Sequence, residues 1–510
     1  MRLAAADREG FAAAAILNNE QVRMTMTMDG RTRWLALVVL CLGDLMIVLD
    51  STIVNVALPS IRTDLGFSET ALVWVVNAYL LTFGGFLLLG GRLGDLYGHR
   101  RLFLLGVGFF TLASLACGLA NSQALLVLAR AVQGIGGAVV SAVALSLIMN
   151  LFTEEAERVK AMGVFGFVMA GGGAIGVLLG GLLTGTLDWH WIFLVNLPIG
   201  LGVIALSLLL LPADQARARG ERLDIAGAVT VTVSLMLAVY AIVNGNQAGW
   251  LAGQTVGLLL AALALLVLFL VIEARVAAPL MPLGLFRLRN VATANVVGVL
   301  WAAAMFAWFF LSALYLQLVL GYTPMQVGLA FLPANLIMGA FSLGLSARLV
   351  TRFGIRGPLA VGLGLAAIGL ALLARAPVEG HFIADVLPCM VLLGIGAGMA
   401  FNPVLLAAMS DVAPSDSGLA SGLVNTSFMM GGALGLAILA SLAEARTEGL
   451  LAAGAAELIA RNAGYQLAFA LGAGFAAAAA LLGGLLLRQK RSDEKSAAED
   501  IEGVRAVELE

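Results

Sequence analysis

Two acidic residues stand where charge is costly. Asp44 and Asp50 both lie in residues 34–58, a run that is otherwise almost wholly apolar. A charged group at membrane depth costs about 2.5–3.5 kcal/mol on insertion scales, and such groups usually face a bundle interior or a watery cavity. Six residues of helix separate the pair by roughly 9 Å of rise and about 120° of rotation, so they cannot address one spot. A carboxyl group held there can take up and release a proton, or it can pin its helix to a neighbour through hydrogen bonds. Arg130 is the only basic residue deep within an apolar run. Guanidinium stays charged in nearly any environment, so Arg130 demands an acidic or strongly polar partner. It serves either to tune a carboxyl or to anchor its own helix.

The elements that must position these groups follow from composition. The 510 residues are 61% hydrophobic and only 12% charged, with mean hydropathy +0.99. Soluble domains carry about 25% charged residues, and no soluble core absorbs this much apolar surface. The excess must face a lipid bilayer. A net charge of −2 argues against a broad polyanion surface, so no nucleic acid partner is expected. Cys41, Cys117 and Cys389 lie in apolar runs without ligand spacing, and His99, His190 and His381 sit at loop edges; no metal set and no cofactor is expected. Lys160, Lys490 and Lys495 are the only lysines and none follows glycine. A phosphate-binding loop is therefore absent, which argues against an ATP pump or other membrane enzyme.

Apolar runs of about 20 residues suit membrane helices. Fourteen candidates occur, near 34–58, 71–91, 102–120, 124–150, 161–186, 191–211, 224–244, 254–272, 291–319, 325–347, 358–374, 382–407, 418–441 and 465–487. Sorting the basic residues tests the count. One set of loops carries Arg62, Arg375, Arg446 and Arg461, and the opposite set, with both termini, carries nearly all the rest. The positive-inside rule then places both termini in the cytoplasm. Residues 1–33 are assigned to an N-terminal cytoplasmic tail, with Met24, Met26 and Met28 as alternative starts, and 488–510 to a charged cytoplasmic tail.

The chain also repeats itself. "GRLGDLYGHRR" (91–101) is echoed by "ARLVTRFGIRG" (347–357), matching at Arg92/Arg348, Gly98/Gly354 and Arg100/Arg356, an offset of 256. "GGAIG" (172–176) returns as "GGALG" (431–435), and "GIGGA" (134–138) as "GIGAG" (394–398). The near-constant offset pairs spans 1–6 with 9–14. It predicts six-helix bundles over 34–212 and 291–487, with a linker carrying two extra membrane helices over 213–290. Parallel repeats of this kind are typical of transporters that handle substrate near the midplane.

At this point the residues resemble a known family. "GRLGDLYGHRR" is similar to the loop signature of the major facilitator superfamily, and "LARAVQGIGGA" (128–138) to its fourth-helix motif. "LDSTIVNVALP" (49–59), "WHWIFLVNLPIG" (189–200) and "ASGLVNTSFMMGGALGLAIL" (420–439) resemble signatures of the fourteen-helix drug:proton antiporter branch. The likeness spans 34–487. Two departures stand out. Val177 occupies the place of the proline in the fifth-helix motif, and Phe428-Met429 stand where many relatives carry Arg-Gln.

The resemblance implies an all-α integral membrane protein of the major facilitator fold, with two six-helix bundles plus two inserted central helices, fourteen in all. It implies export of lipophilic, often cationic drugs by exchange for protons, with alternating access, in the cell inner membrane; whether a periplasmic adaptor and an outer-membrane channel assist is open. A narrow-substrate carrier of the same fold, a single natural-product exporter or a proton-coupled nutrient symporter, is the other expectation. Proton coupling is expected of Asp50, Arg130 and Asp44. A conformational latch is expected of Gly91, Arg92, Asp95, Gly98, Arg100 and Arg101. Close helix packing is expected at Gly172, Gly176, Gly180 and Gly181. Asn55, Asn77, Gln133, Trp301, Met305 and Trp308 are candidates for the substrate cavity, although a stripe such as Trp301, Met305 and Trp308 equally suits bundle core or lipid contact.

Overall fold

A computed structural model describes residues 30–212, 214, 224–276, 279–410, 412 and 417–488. The expected tails fall outside these apart from residues 30–33 and 488. No strand occurs among the described residues. The first bundle comprises α1 (Gly30–Leu65), α2 (Glu69–Tyr97), α3 (His99–Gly118), α4 (Gln123–Leu151), α5 (Glu155–Thr186) and α6 (Asn196–Leu210), the last preceded by a short turn of helix at Trp191–Leu194. Two further helices, α7 (Ile225–Ala248) and α8 (Gly253–Arg275), pack against each other. The second bundle comprises α9 (Arg289–Leu314), α10 (Pro324–Ala340), α11 (Arg356–Leu373), α12 (Leu387–Met409), α13 (Ser417–Ala452) and α14 (Glu457–Leu486).

Thirteen of these are long and apolar enough to cross a membrane. The remaining one, α10, has 17 residues, about 25 Å at 1.5 Å per residue. It runs on through a π-helical segment, Phe341–Leu345, into a short helix at Ser346–Phe353, with Gly344 at φ 125° marking the kink. Among the described residues the fourteen labelled helices correspond to the fourteen expected spans, thirteen of them meeting the length and hydropathy of a membrane span. Their ends follow local chemistry. Ser68 caps α2 by accepting from Ala71 N at 3.1 Å, and Thr323 with Gln326 forms a capping box on α10. Such caps satisfy amide groups that an apolar environment would leave costly.

The internal repeat has a packing counterpart. A Cβ on Gly136 would lie 2.7 Å from Phe110 N, and one on Gly396 would lie 2.7 Å from Ala366 N. The same small-residue approach therefore joins α4 to α3 and α12 to α11. Gly172 backs onto Val48 of α1, and Gly431 onto Val299 of α9. With lipid on the outside, helices associate through such close van der Waals contact rather than through a hydrophobic driving force. Gly98 (φ 99°) and Gly354 (φ 73°), one repeat apart, both break helices where an L side chain would be strained.

The two bundles meet mainly along α2 with α13 and α5 with α10, with α1 also touching α9. Helix α7 packs on both α2 and α13, so the inserted pair lies across one seam. Helix α8 turns Leu260, Leu263 and Val267 outward, a surface suited to acyl chains.

Candidate functional site

The first bundle contains a buried polar cluster on five helices. Asp50 of α1 forms an ion pair with Arg130 of α4, Oδ2 to Nη1 at 2.5 Å, and neither side chain is more than 1% exposed. Gln133, one turn further along α4, donates from Nε2 to Asp50 Oδ1 at 2.7 Å and to Ser114 Oγ of α3 at 2.8 Å. Asn196, at the start of α6, donates from Nδ2 to Asp50 Oδ1 at 3.1 Å and to Ser114 Oγ at 3.3 Å. Arg130 also donates from Nη1 to Gln133 Oε1 at 2.7 Å and from Nε to Val75 O of α2 at 2.9 Å. Its guanidinium lies 4.4 Å from the Tyr79 ring centroid and 5.6 Å from that of Phe193.

This arrangement explains how hydrocarbon tolerates the charges. A buried pair is sustained only when geometry is good and further hydrogen bonds satisfy the remaining lone pairs and protons. Asp50 has three donors and Arg130 three protein partners besides two ring faces. Two expected coupling residues, Asp50 and Arg130, are thus brought together, and Gln133, expected in the cavity, joins them. Ser114 and Asn196 were not singled out from the sequence. The "WHWIFLVNLPIG" string contains Asn196 and was the available signal; nothing around Ser114 distinguished it from other helical serines.

Asp44 stands apart. It is buried, accepts from Ser141 Oγ of α4 at 2.7 Å through Oδ1, and leaves Oδ2 without a hydrogen-bond partner. No cation bonds it among the described residues. The two carboxyl groups of α1 therefore occupy different environments, one charged and saturated, the other neutral in its contacts and half-satisfied.

At the expected latch, Asp214 beyond α6 caps the start of α3. Its Oδ1 and Oδ2 accept from the backbone N–H groups of Arg100 and Arg101, each at 2.9 Å. A carboxylate at a helix N-terminus satisfies orphan amides and opposes the helix dipole. Gly98 admits it, because a Cβ there would collide with the Asp214 carboxylate. The Arg100 guanidinium donates to Leu208 O at 2.7 Å. Gly91 faces Ala142 of α4, with a Cβ clearance of 3.9 Å, and Arg92 is half-buried. Asp95 lies on α2, but its side chain is outside the described part of the structure.

The fifth-helix glycines divide between two neighbours. Gly172, Gly176 and Gly180 press on α1: a Cβ would meet Leu45 Cδ1 at 2.9 Å, Leu49 O at 3.1 Å and Ile53 O at 2.7 Å in turn. Gly181 presses on α10, at 2.8 Å from Pro324 O, and Gly328 answers with 2.9 Å to Val177 O. Helix α5 is thus clasped between α1 and the second bundle, with Val177 at that contact.

The cavity candidates separate. Trp301 lines a narrow cleft of about 10 Å³ with Phe401, Val404, Leu405, Val424, Asn425 and Phe428 of α12 and α13. Its indole N–H is buried without a hydrogen-bond partner. Met305 packs partly buried against the core. Trp308 does not line that cleft; it packs on Phe309 and Phe331, with ring centroids 4.4 and 6.4 Å away. Asn55 bonds back to Ser51 O of its own helix at 3.2 Å. Asn77 donates across the seam to Ala433 O at 2.9 Å.

Two repeated helical bundles, the first built around a buried ion pair, define a multi-pass membrane transporter. The sequence matches the Major Facilitator Superfamily over residues 40–436, and the chain belongs to that family. It is 40% identical over 474 residues to the puromycin resistance protein pur8 of Streptomyces alboniger, covering 91% of this chain and 94% of that one. It is 40% identical over 417 residues to the cephamycin export protein CmcT of Amycolatopsis lactamdurans, covering 81% and 86%. With the multidrug resistance protein Stp of Mycobacterium tuberculosis (strain ATCC 25618 / H37Rv) it shares 37% over 412 residues, covering 81% and 76%. Among solved structures, the nucleoside transporter NupG superposes with a TM-score of 0.62 at 12% identity, covering 89% of this chain and 100% of that one.

Proposed function

We propose that this protein is a proton-driven secondary transporter that exports lipophilic, often cationic compounds through alternating access. The observation that carries the reading is the Asp50–Arg130 pair, sealed at membrane depth with donors from α4 and α6 converging on it. Proton uptake by Asp50 cancels its charge and leaves Arg130 without its counter-ion. Losing one partner of a buried pair costs about 3–5 kcal/mol, enough to favour a rearrangement of α1 against α4 and α6. Release of that proton on the other side restores the pair. The charge state of one carboxyl thereby biases the packing of the first bundle, and the glycine-lined contacts of α5 carry the bias to α10.

The arginine-rich loops support a cytoplasmic side for the end that carries them, and for both termini, in an inner membrane. The aromatic cleft at Trp301, Phe401 and Phe428 has room for about one water as it stands and would have to open to take a flat lipophilic ligand, whose cationic charge aromatic faces accept without a carboxylate. Relatives named for resistance or export favour outward transport. A dedicated exporter of one natural product is the second reading, favoured because pur8 and CmcT are each named for a single compound.

Ethidium efflux from energised cells tests the first reading, with and without a protonophore. Efflux abolished by the protonophore is expected. Efflux that continues after the gradient collapses would contradict proton coupling. A folded protein that moves no ethidium in any state would favour the dedicated exporter.

A further inference from the structure

At the arginine-poor end of the molecule, one carboxylate ties the two bundles together. Glu69 is the first residue of α2. Its Oε1 lies 3.1 Å from Nη1 of Arg62, in the last turn of α1, and 3.2 Å from Nε of Arg461 on α14. Tyr465, a turn further along α14 and buried, donates its hydroxyl to Glu69 Oε2 at 3.0 Å. Arg461 is held from its own helix by Glu457, Nη2 to Oε1 at 2.8 Å. The Glu69 side chain is only 11% exposed, so these charges are little screened by water. An isolated surface pair contributes little, whereas Glu69 gathers a hydrogen bond from Tyr465 and two close guanidinium charges, although Arg461 Nε is not aligned to donate to it.

The network does not stand alone. On the same side of the seam Gln317, in the turn after α9, donates to Val56 O of α1 at 2.9 Å. The backbone of α5 meets that of α10 at Gly181 and Gly328. These contacts join the bundles at the arginine-poor end, and Glu69 is the carboxylate in them that reaches residues of both bundles.

We infer that Glu69 is the hub of an outer gate: Arg461 and Tyr465 bond it when the transporter is closed to the outside and leave it when the bundles rock apart, while Arg62 keeps it within the first bundle. The inference rests on the alternating-access reading above. Glu69 acts as a positioning residue, since it sets which state is populated without touching the buried pair.

The test measures both ends of the molecule at once. Spin labels at exposed Asn121 and Glu379 report the arginine-poor end, and labels at exposed Asn150 and Thr351 report the other end. The native Cys41, Cys117 and Cys389 are buried and give little background. In full-length protein in lipid nanodiscs, Glu69→Gln and Tyr465→Phe are each expected to lengthen the outer distance and shorten the inner one. Glu457→Gln, whose 70% exposed side chain bonds only its own helix, is expected to move neither. An outer distance that lengthens without inner shortening would reduce Glu69 to local packing and overturn the gate. If ethidium moves both distances in the wild type but neither Glu69→Gln nor Tyr465→Phe does, the gate fails and alternating access stands. If no variant and no ethidium concentration ever moves the two distances in opposite senses, both readings fail.

Discussion

Arg130 and Asp50 lie 80 positions apart in the chain and meet at 2.5 Å in a site where neither side chain is more than 1% exposed. The same guanidinium binds Gln133 Oε1 and Val75 O, so one side chain joins three of the six helices of the first bundle. Lysine cannot reproduce that set, because it presents a point charge on a flexible stem instead of a planar fork. Arg130→Lys is expected to fold but to lower the rate of energised efflux about tenfold or more, equivalent to about 1.4 kcal/mol in the barrier. Initial rates at matched expression check this; a rate within a factor of two of wild type would contradict it.

Asn196 and Asn55 provide a contrast. Asn196 bonds Asp50 and Ser114 across helices, whereas Asn55 bonds only its own helix. Asn196→Leu removes two donors from a buried site and is expected to cost about 1–3 kcal/mol, visible as a lower Tm in detergent, and to slow efflux. Asn55→Leu is expected to have the smaller effect on both. Equal losses would deny Asn196 its special place.

The close approaches of α5 can be graded by one methyl group. Gly180→Ala places a Cβ 2.7 Å from Ile53 O, while Gly185→Ala meets nothing within 4 Å. Overpacking of this kind costs about 1–3 kcal/mol. Gly180→Ala is therefore expected to lower Tm and efflux, and Gly185→Ala to match wild type.

Trp301 separates stability from binding. Its indole N–H has no partner in the protein, so Trp301→Phe removes no internal hydrogen bond, and any fall in Tm is expected to reflect only the packing lost at this buried site. If a substrate accepts from that N–H, the variant weakens binding by about two- to tenfold, the range of one net hydrogen bond of about 0.5–1.5 kcal/mol. Fluorescent-substrate titration of wild type and variant reads the difference.

Much of this was legible from residue types alone. Hydropathy and the arginine bias predicted the spans, and the repeat predicted two bundles, because lipid imposes a length and a polarity that sequence must obey. The pairing of Asp50 with Arg130 was foreshadowed by cost: each is too expensive at depth to stand alone. Local periodicity could not supply the rest. Ser114 meets Gln133 only through packing of α3 on α4, and Asp214 meets the start of α3 only through packing of α6 on α3; no local pattern marks either. Trp301 and Trp308 have the same residue type on the same helix, yet one lines a cleft and the other packs against Phe331; the helix rotation that decides this is set by neighbours. Glu69 resembles an ordinary first-turn acid until α14 brings Arg461 beside it.

In the proposed cycle the buried carboxyl of Asp50 couples substrate movement to the proton gradient. Purified wild type and Asp50→Asn in proteoliposomes, compared for ethidium counterflow at zero gradient and for uphill transport under an imposed pH gradient, test it directly. Asp50→Asn is expected to retain counterflow, since exchange needs only the rocking cycle, and to lose uphill transport. Uphill transport by Asp50→Asn at the wild-type rate would contradict the account.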